Sequence, residues 1–391
     1  MSTSEFENTE IAFRCKSDSE LKKTEKIYYF LDKKWLLKMG SILDHTLLPL
    51  KLPFAKPIIK STIFQLFCGG ENLHEAKAAV SNLQEQNVKS VLDYGKEAKQ
   101  TNEDFDASVR ELTKTIEFAS DNKEVPVISL KITALARFDL LKKVQESQNL
   151  NASEKEDYKM VLKRLEVLGT LAEKKNVSVF IDAEESWIQD TIDSLVEQMM
   201  QRHNKQRVII YNTVQMYRKD RLSYLKQSHK DAKKSGYVLG VKLVRGAYMI
   251  KEAKRASKMG YPNPIHNSKE EVDKDYNDAL RYCVDNFEDI SLCLASHNDY
   301  SCQLLTELME EKGIKRNNYH FSFCQLYGMS DNITFNLANE GYNVAKYVPY
   351  GDIEDVIPYL VRRAQENASV TGSMNREREL ILQELKRRKS A

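Results

Sequence analysis

From residue 88 onward the chain repeats one unit eight times, a short run of apolar and β-branched residues followed by a longer amphipathic stretch. The runs are VKSVLDY (88–94), VPVISLKI (125–132), VSVFIDA (177–183), RVIIYNTV (207–214), YVLGVKLV (237–244), ISLCLAS (290–296), NYHFSFCQ (318–325) and YNVAKYV (342–348). Near-continuous apolar runs suit strands buried on both faces, as in a parallel sheet covered by its own crossover helices. Eight such units in succession predict an α/β fold, a (β/α)₈ barrel of the TIM type. Residues 1–86 are expected to form an N-terminal helical arm whose last helix, 72–86, leads into the first strand. The barrel then fills 87–370, and a helical tail covers 371–391. Among the crossovers, Glu154–Lys174 repeats apolar residues at helical spacing with Ser153 as its cap, and Asp352–Ala368 starts from an Asp cap.

Composition narrows the partners. Lys+Arg 59 against Asp+Glu 57 leaves a formal charge of +2, so no overall field points to nucleic acid. A mean hydropathy of −0.54 with 30% charged residues excludes an integral membrane protein. Residues 35–70 are the most apolar stretch, but charges and three prolines interrupt it, so it cannot span a bilayer. Its Lys residues among Leu, Ile and Phe make it either a packed arm or a basic-apolar surface for peripheral membrane contact. The acidic, Ser- and Thr-rich N-terminus lacks the features of a signal or transit peptide, so a cytoplasmic location is expected. Six scattered cysteines without a CxxC pair read as reduced, mostly core thiols, and no metal-ligand spacing is present.

Barrel active sites lie at the C-terminal ends of the strands. The polar residues there are Asp93 and Glu97, Lys131, Asp182 with Glu184 and Glu185, Gln215, Lys242 with Arg245 and Tyr248, His297 with Asn298, Gln325, and Tyr347. A single such residue is ordinarily a structural ion pair; polar groups on all eight strands point to a site. An ammonium inside VPVISLKI needs a carboxylate or a ligand, and Asp182 on the next strand is the natural partner for Lys131. In YLVRRAQEN, Arg362 and Arg363 precede Glu366 by one helical turn. This is either a solvated basic face or a bidentate clamp for a small carboxylate. RGA (245–247) and SHN (296–298) offer small residues plus donors, which suits a phosphate-bearing cofactor, whereas no GxGxxG or Walker loop is present.

The segments LKITAL, IDAEES, VQMYRKD, VKLVRGAY, ASHND, FCQLYGM, KYVPYG and YLVRRAQEN, in this order, resemble the proline dehydrogenase (proline oxidase) family, monofunctional FAD-dependent type, over roughly 60–370. The resemblance implies a distorted barrel with noncovalent FAD and the last helix over its mouth. It implies oxidation of L-proline to Δ1-pyrroline-5-carboxylate, with electrons passed to a membrane quinone at the inner face of the cell membrane. A separate pyrroline-5-carboxylate dehydrogenase would take the product, since the chain is too short for the fused bifunctional arrangement. Carried over by motif, Lys131, Asp182, Tyr248 and Tyr347 are catalytic. Lys131, Tyr347, Tyr359, Arg362, Arg363 and Glu366 bind substrate. Gln215, Lys242, Val244, Arg245, Gly246, Ala247, Ser296, His297, Asn298 and Gln325 contact the cofactor, and Glu97 is a gate. Lys242 and Arg245 stand where the proteobacterial bifunctional enzymes show Arg and Lys.

Other readings of the same residues are a hydroxyproline dehydrogenase of this fold and a lyase forming a Schiff base at Lys131. A hydrolase holding a metal through Asp182, Glu184, Glu185 and His297 is a third, and a non-catalytic interaction barrel a fourth. Flavin colour separates the dehydrogenases from the rest. The bulky phenol of Tyr347 favours proline over hydroxyproline, because it leaves no room for a ring hydroxyl.

Overall fold

The computed structural model describes residues 6–31, 57, 59–95, 100–356, 359–360 and 373–390. Eight parallel strands close into a barrel in chain order: β1 (Lys89–Tyr94), β2 (Val127–Lys131), β3 (Ser178–Asp182), β4 (Ile210–Gln215), β5 (Leu239–Val244), β6 (Ile290–Ala295), β7 (Phe321–Leu326) and β8 (Val344–Tyr350). Each of the eight apolar runs overlaps one strand. The chain divides into two compact units, 1–96 with 325–391, and 97–324.

In the discontinuous unit, β1 and β8 pair from Lys89↔Ala345 to Tyr94↔Tyr350. The helix Leu73–Gln84 packs on them through Ala76, Ala79, Val80 and Leu83. Its start is fixed by Asn72, whose side chain accepts from the Glu75 N–H at 3.0 Å. The helices Thr9–Phe13, Asp18–Leu31 and Ser373–Ser390 share one apolar cluster that includes Ala12, Phe13, Leu21, Tyr28, Phe67, Leu380 and Ile381. Gly328, at φ +75°, is required there, since a Cβ would collide with the Leu66 carbonyl. Pairing carries β8 on to Tyr350, so Tyr347 lies three residues inside the strand and not at its end.

In the continuous unit, β2 to β7 pair edge to edge, with Lys131↔Asp182 and Gln215↔Val244 in register. The crossover helix between β2 and β3 runs Ala152–Lys175, and its cap is Asn151 rather than Ser153. The reason is a capping box: Asn151 Oδ1 accepts from the Glu154 N–H at 2.9 Å, and Glu154 Oε2 accepts from the Asn151 N–H at 3.0 Å. Residues 353–356 and 359–360 of the expected 352–368 helix are helical. Its remainder lies outside the described residues, as does most of 35–70. Five described cysteines are buried free thiols, while Cys15 is exposed.

Candidate active site

Each strand of the continuous unit ends where its apolar run ends, and the first polar side chain beyond the hydrophobic layer marks that point. Lys131 closes β2 and Asp182 closes β3, side by side in register. Asp182 also accepts a hydrogen bond from Lys242 Nζ of β5. The Lys242 side chain is 6% exposed, and its ammonium lies 5.3 Å from the centroid of the Phe180 ring. Burial alone would lower the Lys242 pKa, but the charge and hydrogen bond of Asp182 outweigh it and raise the value. The expected partner of Lys131 is thus engaged by a second lysine, one that the family resemblance assigns to the cofactor.

Glu184, two residues past β3, is buried. Its carboxylate takes two hydrogen bonds from Thr133, from the N–H at 3.0 Å and from the hydroxyl at 2.5 Å. Burial pushes its pKa up to about 7 against those bonds and the charge of Lys131. Gln215, closing β4, donates to the Glu184 carbonyl at 2.8 Å and accepts from the Ala247 N–H at 3.2 Å. Glu252, fully buried, accepts from the Ser186 N–H and hydroxyl at 2.7 and 2.6 Å and fixes the segment after β3 to the helix Met249–Met259.

Arg245 follows β5 and is committed to the protein. Nε donates to Asp273 at 2.7 Å, Nη1 to Ser296 at 2.8 Å and Nη2 to Ser301 at 3.0 Å, while the guanidinium lies 4.3 Å from the centroid of the Tyr276 ring. The next residue, Gly246, has φ +133°, and a Cβ there would strike the Tyr217 ring. Only glycine allows the chain to turn so closely over Tyr217. Val244 and Gly246 are half-buried, Ala247 is exposed and Tyr248 is buried. Asn298 caps the helix Asp299–Glu311, accepting from the Ser301 N–H at 2.9 Å, with half-buried His297 beside it.

The structure therefore gathers Lys131, Asp182, Glu184, Gln215, Lys242 and Ala247 in one chain of contacts, and Arg245, Ser296, Asn298 and Ser301 in another. In the discontinuous unit, Gln325 accepts from the Thr334 hydroxyl at 3.0 Å, Tyr347 is buried within β8, and Tyr359 belongs to the apolar cluster with Val356 and Leu360. Glu97, Arg362, Arg363 and Glu366 lie outside the described residues. Thr133, Glu252, Asp273 and Ser301 contribute to these contacts and are not among the residues that the sequence singles out. Thr133 stands two positions from Lys131 and is readable from LKIT, whereas nothing local marks Asp273. Among the described residues no group of three His, Cys, Asp or Glu is placed to hold a metal ion.

A closed parallel barrel with cations and carboxylates collected at its strand ends has the architecture of a barrel enzyme. The proline dehydrogenase family profile matches residues 76–376, and the chain belongs to that family. It is an oxidoreductase acting on a CH–NH group. It is 32% identical over 374 residues to the mitochondrial proline dehydrogenase 2 of Arabidopsis thaliana, covering 85% of this chain and 79% of that one. It is 31% identical over 366 residues to a hydroxyproline dehydrogenase of Xenopus laevis, covering 84% and 78%. Proline utilization A from Bdellovibrio bacteriovorus shares the fold at TM-score 0.74 and 22% identity; the match covers 93% of this chain and 38% of the length of that protein. No helix among the described residues is long and apolar enough to cross a membrane.

Proposed function

We propose that the barrel segment 87–370 oxidises L-proline to Δ1-pyrroline-5-carboxylate with noncovalent FAD as its cofactor, and that the electrons pass on to a membrane quinone. FAD, when bound, supplies the acceptor for a hydride from the ring carbon beside the amine. The chemistry suits a dianionic pyrophosphate: the backbone strip 245–247 carries only a glycine and an alanine after the arginine, Ser296 and His297 come directly after β6, and Lys242 and Arg245, though paired with carboxylates, add positive charge nearby. Gln215, Val244, Asn298 and Gln325 complete the proposed contacts. Because Arg245 and Asn298 already spend hydrogen bonds on Asp273, Ser296 and Ser301, their part is to hold that strip in shape.

The remaining residues orient the substrate. Arg362 and Arg363 hold the proline carboxylate, Glu366 fixes one guanidinium, and Tyr248, Tyr347 and Tyr359 pack the ring. Lys131 offers positive charge where negative charge develops, and Asp182 balances it together with Lys242. Glu97 serves as a gate. A pyrroline-5-carboxylate dehydrogenase is the enzyme expected to consume the product. The observation that carries this reading is the register pair Lys131↔Asp182, with Lys242 bonded to Asp182, inside the span that matches the family profile.

The test is acid precipitation of purified protein, with FAD expected in the supernatant, followed by proline oxidation with an artificial quinone. A folded, colourless protein that cannot be reconstituted with FAD overturns the reading. Arg362→Met is expected to keep FAD and lose proline affinity by about 1.5–3 kcal/mol. The likeness to a hydroxyproline dehydrogenase supports a second reading, which the buried Tyr347 phenol opposes. Comparing kcat/KM for proline and hydroxyproline, in the parent and in Tyr347→Ser, decides between them.

A further inference from the structure

Glu184 does more than fill a polar niche. Its carboxylate bonds both the N–H and the hydroxyl of Thr133, which lies in the 3-10 turn Ile132–Ala134 directly after Lys131. Its own N–H donates to Gln189 Oε1 at 2.7 Å, and its carbonyl accepts from Gln215. Through Gln215 the contact reaches the Ala247 N–H. One buried residue thereby ties together the exits of β2, β3 and β4 and the turn after β5.

Lys131 and Glu185 act on this carboxyl by charge, and further charged groups lie on the neighbouring elements. Lys131 comes from β2, and Glu185 is its neighbour in the chain, with Lys251 of the helix Met249–Met259 bound to Glu185 at 3.2 Å. Asp182 of β3 is already bonded to Lys242 of β5. The charge of Lys131 acts on Glu184, and the two hydrogen bonds from Thr133 to the Glu184 carboxylate come from a neutral residue. We infer that Glu184 is a positioning residue: it fixes the turn that follows Lys131, and its charge state sets the field at the Lys131 ammonium. The part of this inference that concerns turnover rests on the role proposed for Lys131 in proline oxidation.

With burial holding the carboxyl at about pH 7, it changes charge within the working range of a neutral-pH enzyme. Ionisation adds negative charge beside Lys131, a substrate-binding residue in the proposed function, and weakens its pull on an anionic substrate, so KM for proline is expected to rise about fivefold as pH passes through 7. In Glu184→Gln the amide keeps the length and both hydrogen-bonding ends, and this step disappears with KM fixed at its low-pH value. In Thr133→Val the ionised carboxylate loses a hydrogen bond, and the step moves to higher pH.

A readout independent of turnover separates the two claims. Competitive acetylation of Lys131 with acetic anhydride at pH 8, followed by peptide mass spectrometry, reports how readily the ammonium gives up its proton. Glu184→Gln is expected to speed that labelling several-fold over the parent, while Lys219, exposed elsewhere, is unchanged. Faster labelling in a protein that does not turn over proline supports the coupling and sinks the proposed reaction. Equal labelling of Lys131 in parent and variant, or an unchanged KM step in an active Glu184→Gln enzyme, overturns the inference. Urea midpoints of both variants at pH 6 identify any variant whose losses come from unfolding. The Lys131 labelling of Thr133→Val, which keeps the carboxyl, then decides in its place.

Discussion

Asp331 in the discontinuous unit and Glu184 in the continuous unit are both buried carboxyls, yet their proton affinities move in opposite directions. Asp331 bonds Lys16 at 2.6 Å and Lys346 at 2.8 Å, and these two charges overcome the effect of burial and hold it far below the usual carboxylate range. Glu184 receives its hydrogen bonds from a neutral threonine, and burial wins. Glu377 repeats the second case: its partner is the Ser330 N–H, and burial together with the nearby Asp331 charge pushes it up to about 7. Hydrogen-bond contact with a cation, more than depth, decides whether a buried carboxyl is a fixed charge or a titrating one. The first kind braces a unit; the second kind responds to pH.

The largest effect is expected from Asp331→Asn. It leaves Lys346, 1% exposed, without its carboxylate, and should cost about 3–5 kcal/mol in urea unfolding at neutral pH. Adding Lys346→Met to that variant should return a large part of the loss, because the stranded charge is then gone. If the double variant is no better than the single one, packing and not charge explains the site.

The pH dependence comes next. Glu184 and Glu377 have folded values of about 7 against an ordinary value of 4.5, so the unfolded chain ionises first as pH rises. The stability associated with their protonated forms is complete below about pH 4.5 and is lost as pH climbs through 7, on the order of 3 kcal/mol each. Asp331 runs the other way, contributing above its ordinary value and failing only in strong acid. Glu377→Gln should therefore stabilise the protein at pH 8 and leave it unchanged at pH 4, measured by chemical denaturation at both.

Lys242→Met should cost less than Asp331→Asn, about 2 kcal/mol, because the Asp182 side chain is 15% exposed, recovers some hydration and keeps Lys131 as its register neighbour. Its loss of activity should exceed that stability change, which a comparison of kcat/KM with melting temperature will show. The smallest effect belongs to the surface: Lys312→Ala breaks the pair with Asp285 at 2.8 Å, with both partners well exposed, and should change stability by less than about 0.5 kcal/mol.

The strands are legible in the sequence because burial on both faces leaves no room for a polar face, so each apolar run announces itself without its neighbours. Caps are decided by geometry over three residues. Ser153 and Asn151 are both good caps, and only the reciprocal bond from Glu154 selects Asn151. Ion pairing across the barrel is less legible still. The side-by-side placement of Lys131 and Asp182 follows from strand order, but that Lys242 reaches the Asp182 carboxylate depends on barrel closure, which lets side chains of alternate strands meet across β4. Asp273 and Arg245 meet across 28 positions, from a helix face to a strand end, and no local spacing encodes that.

The helix Thr9–Phe13 meets the helix Ser373–Ser390 through a bond from the Thr9 hydroxyl to Glu384 at 2.9 Å, across 375 positions, and Arg388 donates to the carbonyls of Phe13 and Lys16. At roughly 5–20 residues per second on the ribosome, the first helix waits about 20–75 s for this partner. Throughout that interval Phe13, Leu21 and Tyr28 lack the cover of Leu380 and Ile381, and are open to holding chaperones. A message cut short before codon 373 yields a product that never acquires that cover. Proteases are expected to take the N-terminal helices of such a product first.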